Sequence, residues 1–283
     1  MKHAKFACAD FSFPLVAHDT ALDIIALLGI KGVDIGVFAG RSHVQPKDIF
    51  DNIPAAARRL KKKLADRGLQ FADIFLIPAP ALEDIAPNDP NARTRRRFRD
   101  MFQRTLELAV RCEAPHLSTL PGVRFESESR GDSFARAADE LAWCVAQANA
   151  AGVVFSVEAH MWSIAPTPKL AAKLVDQTPG LTLTLDYGHY TAKGTPDAEI
   201  EPLLKHASHF HARATCKGLL QTTLAKNTVD YRRVVRAMKR VDYRGYIGLE
   251  YVRMDADMVP DVDNLAETVL LRDLMAKAWQ SGR

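Results

Sequence analysis

With 283 residues, 47% hydrophobic and 25% charged, the chain can fill a large core without disulfides or a structural metal. Its net charge of +4 is too mild for a dedicated nucleic-acid binder, and no apolar run approaches the roughly 18 residues of a membrane span. Four scattered cysteines, Cys8, Cys112, Cys144 and Cys216, form no metal-knuckle or disulfide pattern, which fits a reducing compartment.

The predicted elements alternate along the chain. "KFACADFSF" (5–13) reads as a strand with no signal-peptide h-region before it, so a cytoplasmic location is expected. A helix is predicted at 20–30, a strand "GVDIGVF" at 32–38, and a long amphipathic helix at 46–68 with Pro54 as a candidate break. Strand "LQFADIFLIP" precedes a helix at 90–113, and a short strand at 115–122 precedes a helix at 133–152 that ends on glycine. "VVFSVEAH" (153–160) is the fifth strand, and Thr167-Pro168 opens the helix 167–178 as N-cap and first residue. "LTLTLDYGHY" (181–190) reads as the sixth strand and "HFHARA" (209–214) as the seventh, with a helix near 197–207 between them. A helix at 229–240, a strand at 245–252 and a helix at 261–279 complete the series. Eight strand–helix units in this length predict an α/β fold, a single (β/α)8 TIM barrel over residues 1–283. No GxGxxG follows the first strand, which weakens an open dinucleotide-binding sheet. The basic runs 58–63 and 95–99 sit inside predicted helices and read as solvated faces, so neither nucleic acid nor membrane is expected as a partner.

Residues i and i+2 of a strand share a face, and the outer face of a barrel strand must be apolar to meet the helices. Leu181, Leu183 and Leu185 therefore point outward, and Thr182, Thr184 and Asp186 inward. Ser156, Glu158 and His160 share the inner face of strand five. His209, His211 and Arg213 share that of strand seven, and Tyr246, Gly248 and Glu250 that of strand eight. Four consecutive strands thus aim Glu158, Asp186, His211 and Glu250 inward at their C-terminal ends, where such barrels hold their chemistry. Three carboxylates and an imidazole in one mouth are costly unless a cation compensates them. Oxygen and imidazole donors suit Mn²⁺, Mg²⁺, Co²⁺ or Zn²⁺, and the lack of thiolate argues against a structural zinc site.

These motifs ("SVEAH", "DYGH", "HFH" and "GYIGLEYV", in this order) resemble the sugar (phosphate) isomerase/epimerase group of xylose isomerase-like barrels. That group includes ketose 3-epimerases, inosose dehydratase and endonuclease IV. The resemblance spans essentially the whole chain. It implies that Glu158, Asp186, His211 and Glu250 hold one divalent metal, Mn²⁺ in the epimerases. It also implies that His189 touches substrate oxygens and that a basic residue after His211, either Arg213 or Lys217, holds a substrate oxygen. Glu158 and Glu250 would pass a proton to and from the carbon beside a carbonyl through an enediolate intermediate. The activity so implied is isomerisation or epimerisation of a sugar, keto sugar or related polyhydroxy carbonyl compound. The alternative is a lyase using the same chemistry, an inosose-type dehydratase or a 3-keto-glycoside deglycosidase. By analogy the assembly would be a homodimer or homotetramer.

Three departures narrow this reading. A second-strand glutamate of the family is replaced, Val37 standing where it would align. The epimerases' further glutamate, six residues after the first, is Ile164. The segment after strand seven lacks the additional histidines that a trinuclear nuclease needs. His160 and Trp162 are candidate pocket walls, with Trp162 placed to stack on a sugar-like ring. His116 reads as core or mouth packing, and His209 as a group behind His211. Arg253 could hold an anion or pair with Asp255. The long loops 79–91, 123–132 and 214–228 should lie on the catalytic face.

Overall fold

The computed structural model describes residues 4–281. Eight parallel strands close into a barrel in sequence order: β1 Lys5–Ala9, β2 Gly32–Phe38, β3 Gln70–Ile77, β4 His116–Thr119, β5 Val154–Val157, β6 Thr182–Asp186, β7 Ala207–Ala212 and β8 Tyr246–Leu249. Closure comes from β1 against β8, with Lys5 opposite Tyr246 and Cys8 opposite Leu249. The expected (β/α)8 barrel is the observed fold.

The pleat sorts the side chains as the sequence pattern requires. Val33, Ile35 and Val37, Leu183 and Leu185, and Ile247 and Leu249 join the large apolar core between strands and helices. Helix starts follow from local chemistry. Asn52, Asn91, Ser129, Thr167 and Asp230 each accept a backbone N–H of the first helical turn with their side chains. No helix among the described residues is long and apolar enough to cross a membrane. The basic runs lie on helix exteriors in ion pairs: Lys61 with Glu113 at 2.6 Å, Lys63 with Asp19 at 2.7 Å, and both Arg95 and Arg99 with Glu140.

Four predicted boundaries move. Strand one ends at Ala9, and Asp10–Ser12 form a 3-10 turn. The helix predicted over 46–68 divides into Pro46–Ile49 and Ile53–Ala65, because Pro54 occupies the first turn of the second piece. The helix near 197–207 is a short helix, Asp197–Ile200, running into a 3-10 segment, Glu201–His206. Strand six stops at Asp186, and Tyr187–Ala192 is a helix whose first turn is capped by the Asp186 carboxylate, with the Gly188 N–H donating to it at 2.7 Å. His189 therefore leaves the barrel top on a helix, not on an extended strand.

Inside the barrel, one layer below the mouth, lies a set of buried polar residues. His116 bonds through Nδ1 to Asp73 at 2.7 Å and through Nε2 to Ser208 at 2.8 Å, and Ser118 donates to the same aspartate. Ser208 continues to Thr182 at 2.6 Å. Asp34, opposite Asp73 in the β2–β3 register, lies 3.1 Å from His209 Nε2. His116 is thus a bonded member of the barrel lining, where packing alone was expected. Gly248 makes room for this layer: a Cβ there would collide with the Asp34 Oδ2.

Candidate active site

Each acid at the mouth is fixed by its strand end. Glu158 follows β5 and donates its backbone N–H to Thr119 at 3.0 Å. Asp186 ends β6 directly opposite His211 in the β6–β7 register. Glu250 follows β8, its N–H bonded to the Ala212 carbonyl at 3.0 Å. All four predicted metal ligands are buried and converge. His211 Nδ1 lies 2.8 Å from Glu158 and 3.4 Å from Glu250. The Arg213 guanidinium donates to both Asp186 and Glu250. His189 Nε2 stands 3.5 Å from Asp186.

Electrostatics at this floor are strongly perturbed. Burial pulls the His211 imidazole down, but Glu250 and Glu158 outweigh it and lift the ring to about 10. Burial also opposes ionisation of Glu158, yet the hydrogen bond and charge of His211 hold it at about 2. Glu250 is pushed up to about 7, since burial and the neighbouring carboxylates outweigh Arg213 and His211. Burial keeps His160 neutral, down to about 3, with His189 adding to the effect.

The donor set fits a divalent ion. Ligand atoms of Glu158, His211 and Glu250 lie within 4.8 Å of one another, and so do those of Glu158, Asp186 and His189. Glu158 is common to both sets. Behind the ring, the buried His211 Nε2 has no hydrogen-bond partner, with Asp34 Oδ2 at 3.8 Å. A carboxylate behind a histidine ring is the usual orienting arrangement for a ligand imidazole.

Above the floor is a cavity of about 310 Å³. Glu158, Glu250, Arg213, His189, His160 and Trp162 all line it. Trp162 is 44% exposed and meets the His189 ring edge-on at 5.8 Å. Lys217 lies elsewhere: its side chain is exposed on the turn after β7 and runs beside Gly194, off the cavity wall. Of the two basic candidates, only Arg213 reaches the cavity. Arg253 lines it too, but pairs with Asp261 at 3.0 Å in place of Asp255. Ile164 is buried in the outer core, and Val37 faces the helices, so β2 presents Phe38 to the mouth. Loops 79–91 and 214–228 contribute through Pro80, Leu82 and Leu220, whereas none of 123–132 lines this cavity.

Residues unmarked in the sequence reading complete the wall. Phe11, Phe38 and Phe75 cluster on the β1–β3 side, and Arg41 follows β2. Asp34 and Asp73 escaped notice as well, although the i, i+2 test would have found both. Each is the lone acid on the inward face of its strand, between apolar outward neighbours.

The sequence profile described as "xylose isomerase-like TIM barrel" matches residues 22–273. The chain belongs to the xylose isomerase-like TIM barrel family. Solved structures with the same fold include an L-ribulose 3-epimerase (TM-score 0.76, 17% identity, 98% of this chain and 95% of that one). A probable 3-DHS dehydratase from Bacillus anthracis superposes at 0.69 with 15% identity, over 95% and 98%. A xylose isomerase-like TIM barrel protein from Mycobacterium smegmatis, solved in complex with magnesium, matches at 0.74 with 15% identity, over 98% and 97%. No curated protein matches the sequence significantly. Solved structures of this shape thus include an epimerase and a dehydratase, at identities that establish the fold and leave the reaction to the site.

Proposed function

We propose that the protein is a divalent-metal-dependent isomerase or epimerase of a sugar, keto sugar or related polyhydroxy carbonyl compound. The observation that carries this reading is the pair of adjoining donor groups beneath an open cavity, Glu158 with His211 and Glu250, and Glu158 with Asp186 and His189. Glu158, Asp186, His211 and Glu250 would hold the ion, Mn²⁺ being the first choice. When bound, such an ion polarises a carbonyl and the adjacent hydroxyl and so acidifies the C–H beside them.

The chain's own groups supply the proton transfers. Glu158, at the end of β5, takes the proton from the carbon beside the carbonyl. Glu250, at the end of β8, returns a proton to the other face of the resulting enediolate. Arg213, fixed between Asp186 and Glu250, and His189, 3.5 Å from Asp186, orient the substrate oxygens. Trp162 and His160 form the wall against which the rest of the substrate lies.

A lyase reading is favoured by one observation, the apolar wall of Phe11, Phe38 and Phe75 with Ile164 withdrawn into the core. This wall offers no hydroxyl partners for a linear ketose and leaves space for a leaving group. Incubation with keto sugars and keto-cyclitols in D₂O with Mn²⁺ tests both. Deuterium beside the carbonyl is expected, and product mass separates a rearranged substrate from one that has lost water or an aglycone. No exchange with any such substrate by metal-loaded protein would rule out enediolate chemistry.

A further inference from the structure

A second cavity adjoins the first. It measures about 250 Å³ and lies between the loop after β1 and the loop after β8. Pro14 and Arg253 line both cavities and so form the partition between them. Arg253 is held there by its pair with Asp261 at 3.0 Å, the two side chains being 50% and 60% exposed. An ion pair so open to water holds weakly, and the partition it forms yields easily.

The polar groups around this second cavity are already engaged. Asp261 is taken by Arg253, Asp263 accepts the Ala266 N–H at 3.0 Å, and the Asn264 amide donates to the carbonyls of Ser12 and Tyr251. The Ser12 hydroxyl lacks a partner but is buried, sealed from the cavity surface. What remains to meet a ligand is apolar: Phe13, Leu15, Val16, Ile24, Val262 and Leu265. Leu15 is 76% exposed and Leu265 43%, on facing sides of one recess. Single exposed leucines are ordinary, whereas a gathered apolar recess beside a reaction cavity marks a binding surface. The loop after β8 also carries Asp255, Asp257, Asp261 and Asp263, which makes the rim a poor host for an anion. A protein partner needs a broad face of about 800 Å²; a recess of this size suits a ring or a short chain.

We propose that this cavity is a subsite for an uncharged apolar group carried by the substrate. The substrate class is then a polyhydroxy carbonyl compound with a short alkyl or aryl appendage, of which a keto glycoside with an apolar aglycone is the simplest case. Its polar part occupies the first cavity, on the carbonyl reading proposed above, and the appendage passes between Pro14 and Arg253 into the second. A free sugar fills the first cavity alone and gains nothing from the second.

The test compares methyl and n-hexyl 3-keto-β-D-glucopyranoside, which differ only in the appendage, by isothermal titration into Mn²⁺-treated full-length protein. Wild type should bind the hexyl compound about tenfold more tightly or better, the effect of burying roughly two methylenes. In Leu15→Ser/Leu265→Ser the ratio should fall to within about threefold while methyl affinity holds. Leu27→Ser, exposed but outside both cavities, should keep the full preference. All three leucines are exposed, and an unchanged melting temperature would show each variant folded. Equal binding of the two compounds, or no binding of either, would overturn the proposal, as would a preference that survives the double substitution. A dimer that dissociates in the double variant, with no chain-length preference in wild type, would overturn it too and assign this face to a second copy. Deuterium exchange beside the carbonyl, followed separately with the methyl compound, reports on the first cavity. Exchange without a chain-length preference would fail the subsite and keep the enediolate reading; the preference without exchange would do the reverse.

Discussion

The inside of this barrel holds acids and histidines at two levels, and the two behave differently. In the lower layer Asp73, His116, Ser118, Ser208 and Thr182 bond to one another, and His209 sits against Asp34. Burial alone would raise Asp73, but His116 and His209 hold it below the usual carboxylate range. At the mouth, Glu158, Asp186 and Glu250 crowd around His211 and Arg213, Glu250 is lifted to about 7, and His160 Nε2, His189 Nδ1 and Arg213 Nε lack partners. Similar side chains therefore serve opposite ends. The lower set, Asp34 Oδ1 aside, is bonded within itself and fastens strands together; the upper set has more polar atoms left to offer.

Breaking each level separately should give opposite phenotypes. The largest effect is expected at the mouth. Glu158→Gln and Glu250→Gln should each lower kcat by about 10²–10⁴-fold, the usual worth of a positioned acid or base. Both should melt within a few degrees of wild type, and loss of fold in either would place these residues with the structural layer. Asp73→Asn should do the reverse. Removing one partner of a buried pair costs about 3–5 kcal/mol, to be read by denaturant unfolding, with turnover per folded molecule retained. The pH dependence follows from the sign of the shift. Because folding depresses the Asp73 pKa, its contribution is complete above the unfolded value of about 3.9 and is lost as pH falls through the lower folded value. The acid limb of the stability curve should therefore be shallower in Asp73→Asn. A variant with an unaltered acid limb would remove Asp73 from the account. The smallest effect is expected at Lys217, which is exposed and off the cavity. Lys217→Ala should leave KM within about twofold and stability within about 0.5 kcal/mol, whereas Arg213→Ala should impair both steps of turnover.

The barrel and the four strand-end ligands were legible because period-2 alternation repeats in strands five to eight, and a shared face is a direct geometric consequence of that period. "DYGHY" misled for the same reason. Tyr187 continues the apolar parity of Leu181, Leu183 and Leu185, and a helix of six residues is too short to display a 3.6-residue period. The Asp186 carboxylate decides the matter by capping the turn, which alternation does not encode. Asp34 and Asp73 were readable by the test applied to the later strands but lie mid-strand, away from the ends where chemistry was sought. Arg41 was not readable at all. It sits on the loop after β2, which ends at Phe38 beside Phe11 and Phe75, a contact among β2, β3 and the 3-10 turn after β1.

Glu158, Asp186, His211 and Glu250 are proposed to act as one divalent-metal site. Elemental analysis of protein purified without chelator, wild type beside Asp186→Asn, tests it most directly. About one divalent ion per chain is expected in wild type, and a clear loss in a folded Asp186→Asn. A full complement of metal in that variant, or a wild-type protein that takes up none even when Mn²⁺ is supplied, would contradict it.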